Sequence, residues 1–155
     1  MHFDDITSAD FWLGVAVATL CGVAIGFERE VRGKSAGMRT SALVCVGTYL
    51  FVTLSMGIRS TSADPTRVLG QVVTGIGFLG AGVILTQKNW IKGVTSAAVI
   101  WNLAAIGAAT GLGRAGAALG MTAVVLLILT VLRSMAHWVR RLREALQNGD
   151  DESDD

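Results

Sequence analysis

One proline, two cysteines and two histidines are scattered through 155 residues, and each scarcity excludes something. With Pro65 the only proline, no helix interior can carry a proline kink, so any break must come from glycine. Cys21 and Cys45 both fall inside apolar stretches, which rules out a secreted disulfide framework and leaves them as small packing residues. His2 and His137 lie far apart in the chain, neither cysteine has a histidine or carboxylate in its stretch, and Walker, zinc and nucleophile motifs are absent. The pattern therefore points away from an enzyme and calls for no cofactor. Charge is scarce too: 16% of residues are charged and the formal net charge is +1, without the extended basic surface a nucleic-acid binder needs.

What the chain has in abundance is apolar sequence. Hydrophobic residues make up 52%, mean hydropathy is +0.55, and five stretches, 11–27, 40–58, 68–86, 94–112 and 115–132, each run 17 to 19 residues without Asp, Glu, Lys, Arg or His. At about 1.5 Å per residue, each is just long enough to cross a hydrocarbon core of about 30 Å. The expected fold is all-α, a polytopic bundle of five transmembrane helices over 11–132, preceded by an outer segment, 1–10. Asp64-Pro65 suits the start of the third helix, as a cap followed by a proline at the first helical position. The N-terminus carries Asp4, Asp5 and Asp10 in place of a basic region, so the first stretch is expected to be retained rather than cleaved as a signal peptide.

Basic residues set the orientation. Arg29, Arg32, Lys34 and Arg39 occupy the first gap, Lys88 and Lys92 the third, and Arg133, Arg140, Arg141 and Arg143 the tail; only Arg59, Arg67 and Arg114 occupy the alternate gaps. Ten against three predicts an outer N-terminus and a cytoplasmic C-terminus. Beyond the fifth stretch, Met135, Trp138, Leu142 and Leu146 recur at helical spacing opposite Arg133, Arg140 and Arg141, which predicts a basic amphipathic helix over 133–147 lying on an anionic leaflet. An acidic tail, 148–155, is expected to be disordered.

Small residues recur at four-residue spacing: Gly14, Ala18, Gly22 and Gly26 in the first stretch, Gly107 and Gly111 in the fourth, Gly116 and Gly120 in the fifth. In lipid such stripes let backbones approach closely, within the chain or against a second copy in a homo-oligomer. The third stretch holds Gly75, Gly77, Gly80 and Gly82, a run that suits a close crossing, a local break or a narrow polar path. Arg67 and Gln71 share a face of that helix. Asn102 sits near the centre of the fourth stretch and is expected to face the bundle interior, in an interhelical hydrogen bond or along a solute path.

The first gap is the densest in chemistry, and Glu28, Arg29, Glu30, Lys34, Arg39 and Thr40 form its candidate functional cluster. Spacing allows Glu28 to pair with Arg32 and Glu30 with Lys34. Thr40 or Ser41 can cap the next helix, whose N-terminus attracts either carboxylate. Charge at the edge of an apolar span is usually functional. Glu28 and Glu30 are the only candidates for direct magnesium coordination, and weak ones, because the surrounding bases favour ion pairs over a hydrated cation.

Glu28-Arg29-Glu30, Ala36-Gly37-Met38-Arg39-Thr40, Arg67-x-x-x-Gln71, Gly75-Ile-Gly-Phe-Leu-Gly-Ala-Gly82 and Gly93-Val-Thr-Ser-Ala-Ala98, leading to Trp101 and Ala104-Ala-Ile-Gly107, together resemble the MgtC/SapB family over residues 12–132. The resemblance implies a multi-pass protein of the bacterial inner membrane, linked to growth in scarce magnesium and, in some pathogens, to survival inside host cells. It also implies a regulatory action on other membrane proteins, the F-type ATP synthase among them, although members are often labelled magnesium-transport proteins. Val94 and Ser96 depart mildly from the family's Gly-Leu-Thr-Thr-Ala-Ala, and the soluble C-terminal domain of the better-known virulence members is not in this sequence. The expected function is a non-enzymatic modulator of other membrane proteins; the alternative is a channel or transporter for a small ion or solute.

Overall fold

The structure, a computed structural model, describes residues 8–57, 65–87 and 90–132. Five helices follow one another: α1 (Ala9–Val31), α2 (Met38–Gly57), α3 (Pro65–Gly82), α4 (Val94–Gly111) and α5 (Ala115–Leu127), the last continuing as a π-helical turn, Ile128–Leu132. Between α3 and α4, β1 (Leu85–Gln87) pairs antiparallel with β2 (Trp90–Lys92), with Thr86 opposite Ile91. Four helices, α1, α2, α4 and α5 with its π-helical turn, are long and apolar enough to cross a membrane. The described residues are thus all-helical apart from a small strand pair, with four of the five expected crossings long and apolar enough to span a membrane. The amphipathic helix expected at 133–147 and the acidic tail lie outside the described residues.

The third element differs most from expectation. α3 starts at Pro65, as Asp64-Pro65 implied, but the apolar stretch 68–86 predicted a helix through Thr86, and α3 stops at Gly82, where Val83 and Ile84 close it with N–H bonds to Gly80 and Ala81 carbonyls of 3.3 and 3.1 Å. Glycine supports helix poorly and the β-branched run that follows favours extended chain, whose backbone groups find partners in β2. Arg67 and Gln71 both lie within α3, which is not among the four helices long and apolar enough to cross a membrane.

The bundle is built around α2, with α1 on one side and α4 on the other; α5 packs on α1 and α4, and α3 on α4 and α2. Glycine decides which faces meet. A Cβ at Gly22 would lie 2.6 Å from the Ala42 Cα, one at Gly26 2.6 Å from the Met38 Cα, and one at Gly111 2.8 Å from the Val52 Cβ, while one at Gly107 would strike the Cys45 carbonyl. Such contacts cannot form with any larger residue, so the two stripes dock α1 and α4 onto α2 backbone to backbone, as expected for association in lipid. The α5 glycines, Gly116 and Gly120, meet nothing within 4 Å.

Ala18, Cys21, Ile25, Cys45, Tyr49, Leu103 and Ile106 form the centre of the core. Both cysteines are free and buried, and the Cys45 thiol donates to the Leu103 carbonyl at 3.2 Å. Several buried hydroxyls likewise find backbone acceptors: Thr110 donates to Ile106 and Thr122 to Ala118 within their own helices, and Tyr49 donates across to the Phe11 carbonyl at 2.9 Å. In hydrocarbon these groups have no water to turn to, so each such bond removes a desolvation cost.

Candidate functional site

The charged residues that follow the first apolar stretch remain helical. α1 continues four residues beyond Phe27 and ends with Gly33 in the left-handed region (φ 60°), whose N–H bonds to the Glu30 carbonyl while the Lys34 N–H bonds to that of Arg29. This termination places Glu28, Arg29 and Arg32 on the last turn, at the end of the bundle where α2 and α4 begin and α5 ends.

Each charge then reaches a different helix. Arg29 is only 4% exposed, and its Nη2 donates to the Ser96 hydroxyl in the first turn of α4 at 2.6 Å. Arg32 forms an ion pair of 2.8 Å with Glu28, one turn back, and its Nη1 donates to the Leu129 carbonyl in the π-helical turn after α5 at 3.1 Å. The Glu30 carboxylate accepts the Met38 N–H at 2.9 Å, capping α2 where the helix dipole favours an anion. Ser41 does not cap with its oxygen; its hydroxyl donates to the carbonyl of Ala36, itself held at φ 62°. The end of α1 is therefore a clamp holding α2, α4 and α5 through one side chain each.

Of the pairs that spacing allowed, Glu28–Arg32 forms and Glu30–Lys34 does not. Lys34 lies beyond Gly33, off the helical path, so the four-residue rule no longer relates it to Glu30. The candidate cluster also divides. Glu28, Arg29 and Lys34, with Arg32, line a recess of about 420 Å³ closed by Gly93, Val94, Thr95 and Ser96 at the start of α4. Arg39 is exposed on α2, outside this recess. Thr40 belongs to a separate, largely apolar groove of about 610 Å³ between α2 and α3, together with Gln71 and Gly75.

The residues expected to mark a polar path do not converge in the interior. Asn102 is exposed, and its side-chain amide donates to the Ala98 carbonyl of its own helix at 2.8 Å, in place of the interior partner expected for it. That local bond satisfies the amide without a second helix, so burial is not required of it. Arg67, Gln71, Gly77 and Gly82 are exposed as well, and a Cβ at Gly75, Gly77 or Gly82 would meet nothing within 4 Å. Only Gly80 is buried, in ordinary contact with Ala97 of α4. The third-helix glycines thus provide no close crossing, because α3 sits at the edge of the bundle and turns that face outward.

Among the described residues, no three His, Cys, Asp or Glu side chains stand close enough to hold a metal ion. Glu28 and Glu30 have separate roles, one bonded to Arg32 and the other to the α2 N-terminus, and the free Glu28 Oε2 is buried. Two guanidinium groups in the same recess make that oxygen a poor ligand for Mg²⁺. Two participants were not singled out as site residues: Arg32, which the spacing treated only as a pairing base, and Ser96, visible only as a departure from a motif. The motif containing Ser96 did carry the signal, since Gly93-Val-Thr-Ser reads as a helix start with two hydroxyls.

A model of the MgtC family matches residues 15–138. A Salmonella typhimurium protein named MgtC is 42% identical over 131 residues, which are 84% of this chain and 55% of that protein. The MgtC of Brucella abortus is 41% identical over 121 residues, 78% of this chain and 50% of its own length. An Escherichia coli K12 protein named "Putative magnesium transporter YhiD" is 38% identical over 135 residues, 83% of this chain and 63% of its own. The chain therefore spans between half and two thirds of the curated relatives it matches. No solved structure matches significantly.

Proposed function

The chain belongs to the MgtC family, and from that premise we propose that it is a non-enzymatic, multi-pass protein of the bacterial inner membrane that supports adaptation to scarce magnesium by acting on other membrane proteins. In this reading α3 is a fifth crossing, the N-terminus is outside and the C-terminus cytoplasmic, so the α1 clamp sits at the cytoplasmic face with most of the basic residues. Cysteine tags at Asp5 and Ser153 test that arrangement: accessibility from opposite faces is expected, and both termini on one face would overturn it.

One observation supports modulation over transport. Apart from Gly80, the polar and glycine residues that would line a solute path are exposed on the single chain, whereas the core among the described residues is mostly apolar and closed by backbone-to-backbone contacts. A protein organised in this way offers its outer surfaces to neighbours. The F-type ATP synthase is a partner to test, and Arg39 and Thr40, exposed beside the clamp, are residues to test it with.

The transporter reading draws on the groove between α2 and α3, which holds Gln71 and Thr40, and on the name of the E. coli relative. The two readings part in one experiment: complementation of a low-magnesium growth defect by the full chain, beside flux of magnesium, protons and small anions in liposomes containing the purified protein. Complementation without flux is expected. Saturable flux that Gln71→Leu abolishes would replace modulation with transport.

A further inference from the structure

Arg29 presents an unusual electrostatic problem. Its guanidinium is almost wholly buried, yet among the described residues it makes a single hydrogen bond, through Nη2 to the neutral Ser96 hydroxyl, and its buried Nε has no partner. The adjacent carboxylate, Glu28, gives one oxygen to Arg32 and has its other, Oε2, buried without a hydrogen-bond partner among the described residues. A buried cation is costly unless paired, and a guanidinium has five N–H donors to satisfy.

The recess beside Arg29 carries an excess of positive charge. Its wall contains three basic side chains, Arg29, Arg32 and Lys34, against the one carboxylate of Glu28. It also contains the first turn of α4, an 18-residue helix whose cap, Gly93 (φ 95°), has no side chain to bond the free N–H groups. Ser96 could have served elsewhere in that turn, but its hydroxyl oxygen is engaged by Arg29. The first intrahelical bond runs from the Ala97 N–H to the Gly93 carbonyl, so the N–H groups of Val94, Thr95 and Ser96 precede the helical ladder. Uncapped N–H groups at the positive end of a helix, beside basic side chains, form a recognised type of anion cradle.

We propose that this recess binds a phosphate group, held by Arg29, Lys34 and the α4 N-terminus, with Arg32 kept in place by Glu28 and the Leu129 carbonyl. The same chemistry is carried by a free phosphate anion and by the head of an anionic phospholipid. An apolar cleft between α1 and α5, about 560 Å³ and lined in part by Phe27, Leu126 and Leu127, shares Glu28 and Arg32 with the recess and gives a lipid's acyl chain somewhere to lie.

The test uses the full chain purified in a non-ionic detergent, with thermal unfolding followed in two titrations: inorganic phosphate, and phosphatidylglycerol in mixed micelles. A saturable rise in Tm with phosphate identifies the free anion; a rise with phosphatidylglycerol alone identifies the lipid head. In either case Lys34→Ala, at an exposed position, should weaken the apparent affinity about tenfold, and Arg29→Gln should abolish the response. Arg39→Ala removes an equally exposed base outside the recess and should leave affinity unchanged. Absence of a saturable shift in both titrations, or equal weakening by Lys34→Ala and Arg39→Ala, would overturn the proposal. Because the latter two variants do not depend on the fold tolerating a change at Arg29, the result stands even if Arg29→Gln fails to fold.

Discussion

The glycines of α1 and α4 and those of α3 have similar composition and opposite uses. Gly22, Gly26, Gly107 and Gly111 lie where α2 passes so closely that a single added carbon would collide with its backbone or with a Cβ. Gly75, Gly77 and Gly82 have open space around them. Helix contacts in lipid depend on where small residues meet a partner, and their density in the sequence does not tell which face will find one. The denser run, in α3, belongs to the helix at the edge of the bundle; the sparser, strictly spaced stripes belong to the helices at its centre.

The largest effects should follow from leucine substitutions. Gly107→Leu and Gly22→Leu force α4 or α1 away from α2 and should remove folded protein from the membrane, read as loss of a cooperative unfolding transition in detergent. Gly77→Leu should leave that transition in place. If Gly77→Leu proved as disruptive as Gly107→Leu, the α3 face would be a packed interface after all, and the contrast would fail.

Alanine sharpens the same contrast by sign. Gly22→Ala should destabilise by about 1–3 kcal/mol, the usual range for overpacking, because its Cβ would meet backbone atoms that cannot move aside. Gly77→Ala adds a better helix former in open space and should stabilise by about 0.5–1 kcal/mol. Denaturant titration of both variants in the same detergent measures the difference, and a shared sign would contradict the structure.

Smaller effects come from the polar groups around the centre. Tyr49→Phe removes the hydroxyl that reaches the Phe11 carbonyl while keeping the ring against Gly14, and should cost about 0.5–1.5 kcal/mol in the same titration. Asn102→Leu should change stability least, within about 0.5 kcal/mol, since its amide is exposed and bonds only within its own helix. A loss near that of Gly22→Ala would mean that Asn102 has an interhelical partner and that this face is covered.

Several features were legible before any coordinates. Uncharged runs located four of the helices to within a few residues, because a segment that spends its length in hydrocarbon must be apolar and must satisfy its backbone internally. The Glu28–Arg32 pair followed from four-residue spacing on a continuing helix, and strict small-residue spacing identified the stripes that α1 and α4 use. Asn102 and Gly77 were less readable. An amide can bond to its own helix, and a glycine can face nothing, without any difference in the surrounding sequence.

The membrane-helix character of this chain, the ends of its main apolar segments and its family are all carried by local composition, spacing and identity. That α2 is the centre, that Glu30, Arg29 and Arg32 each reach a different helix, and that Arg29 and the start of α4 share one recess follow from the packing of the bundle. Ser96 lies 67 residues from Arg29, and Leu129 lies 97 from Arg32. Contacts at that separation arise from which helix faces pack together, a consequence of the whole bundle that no local run of residues encodes.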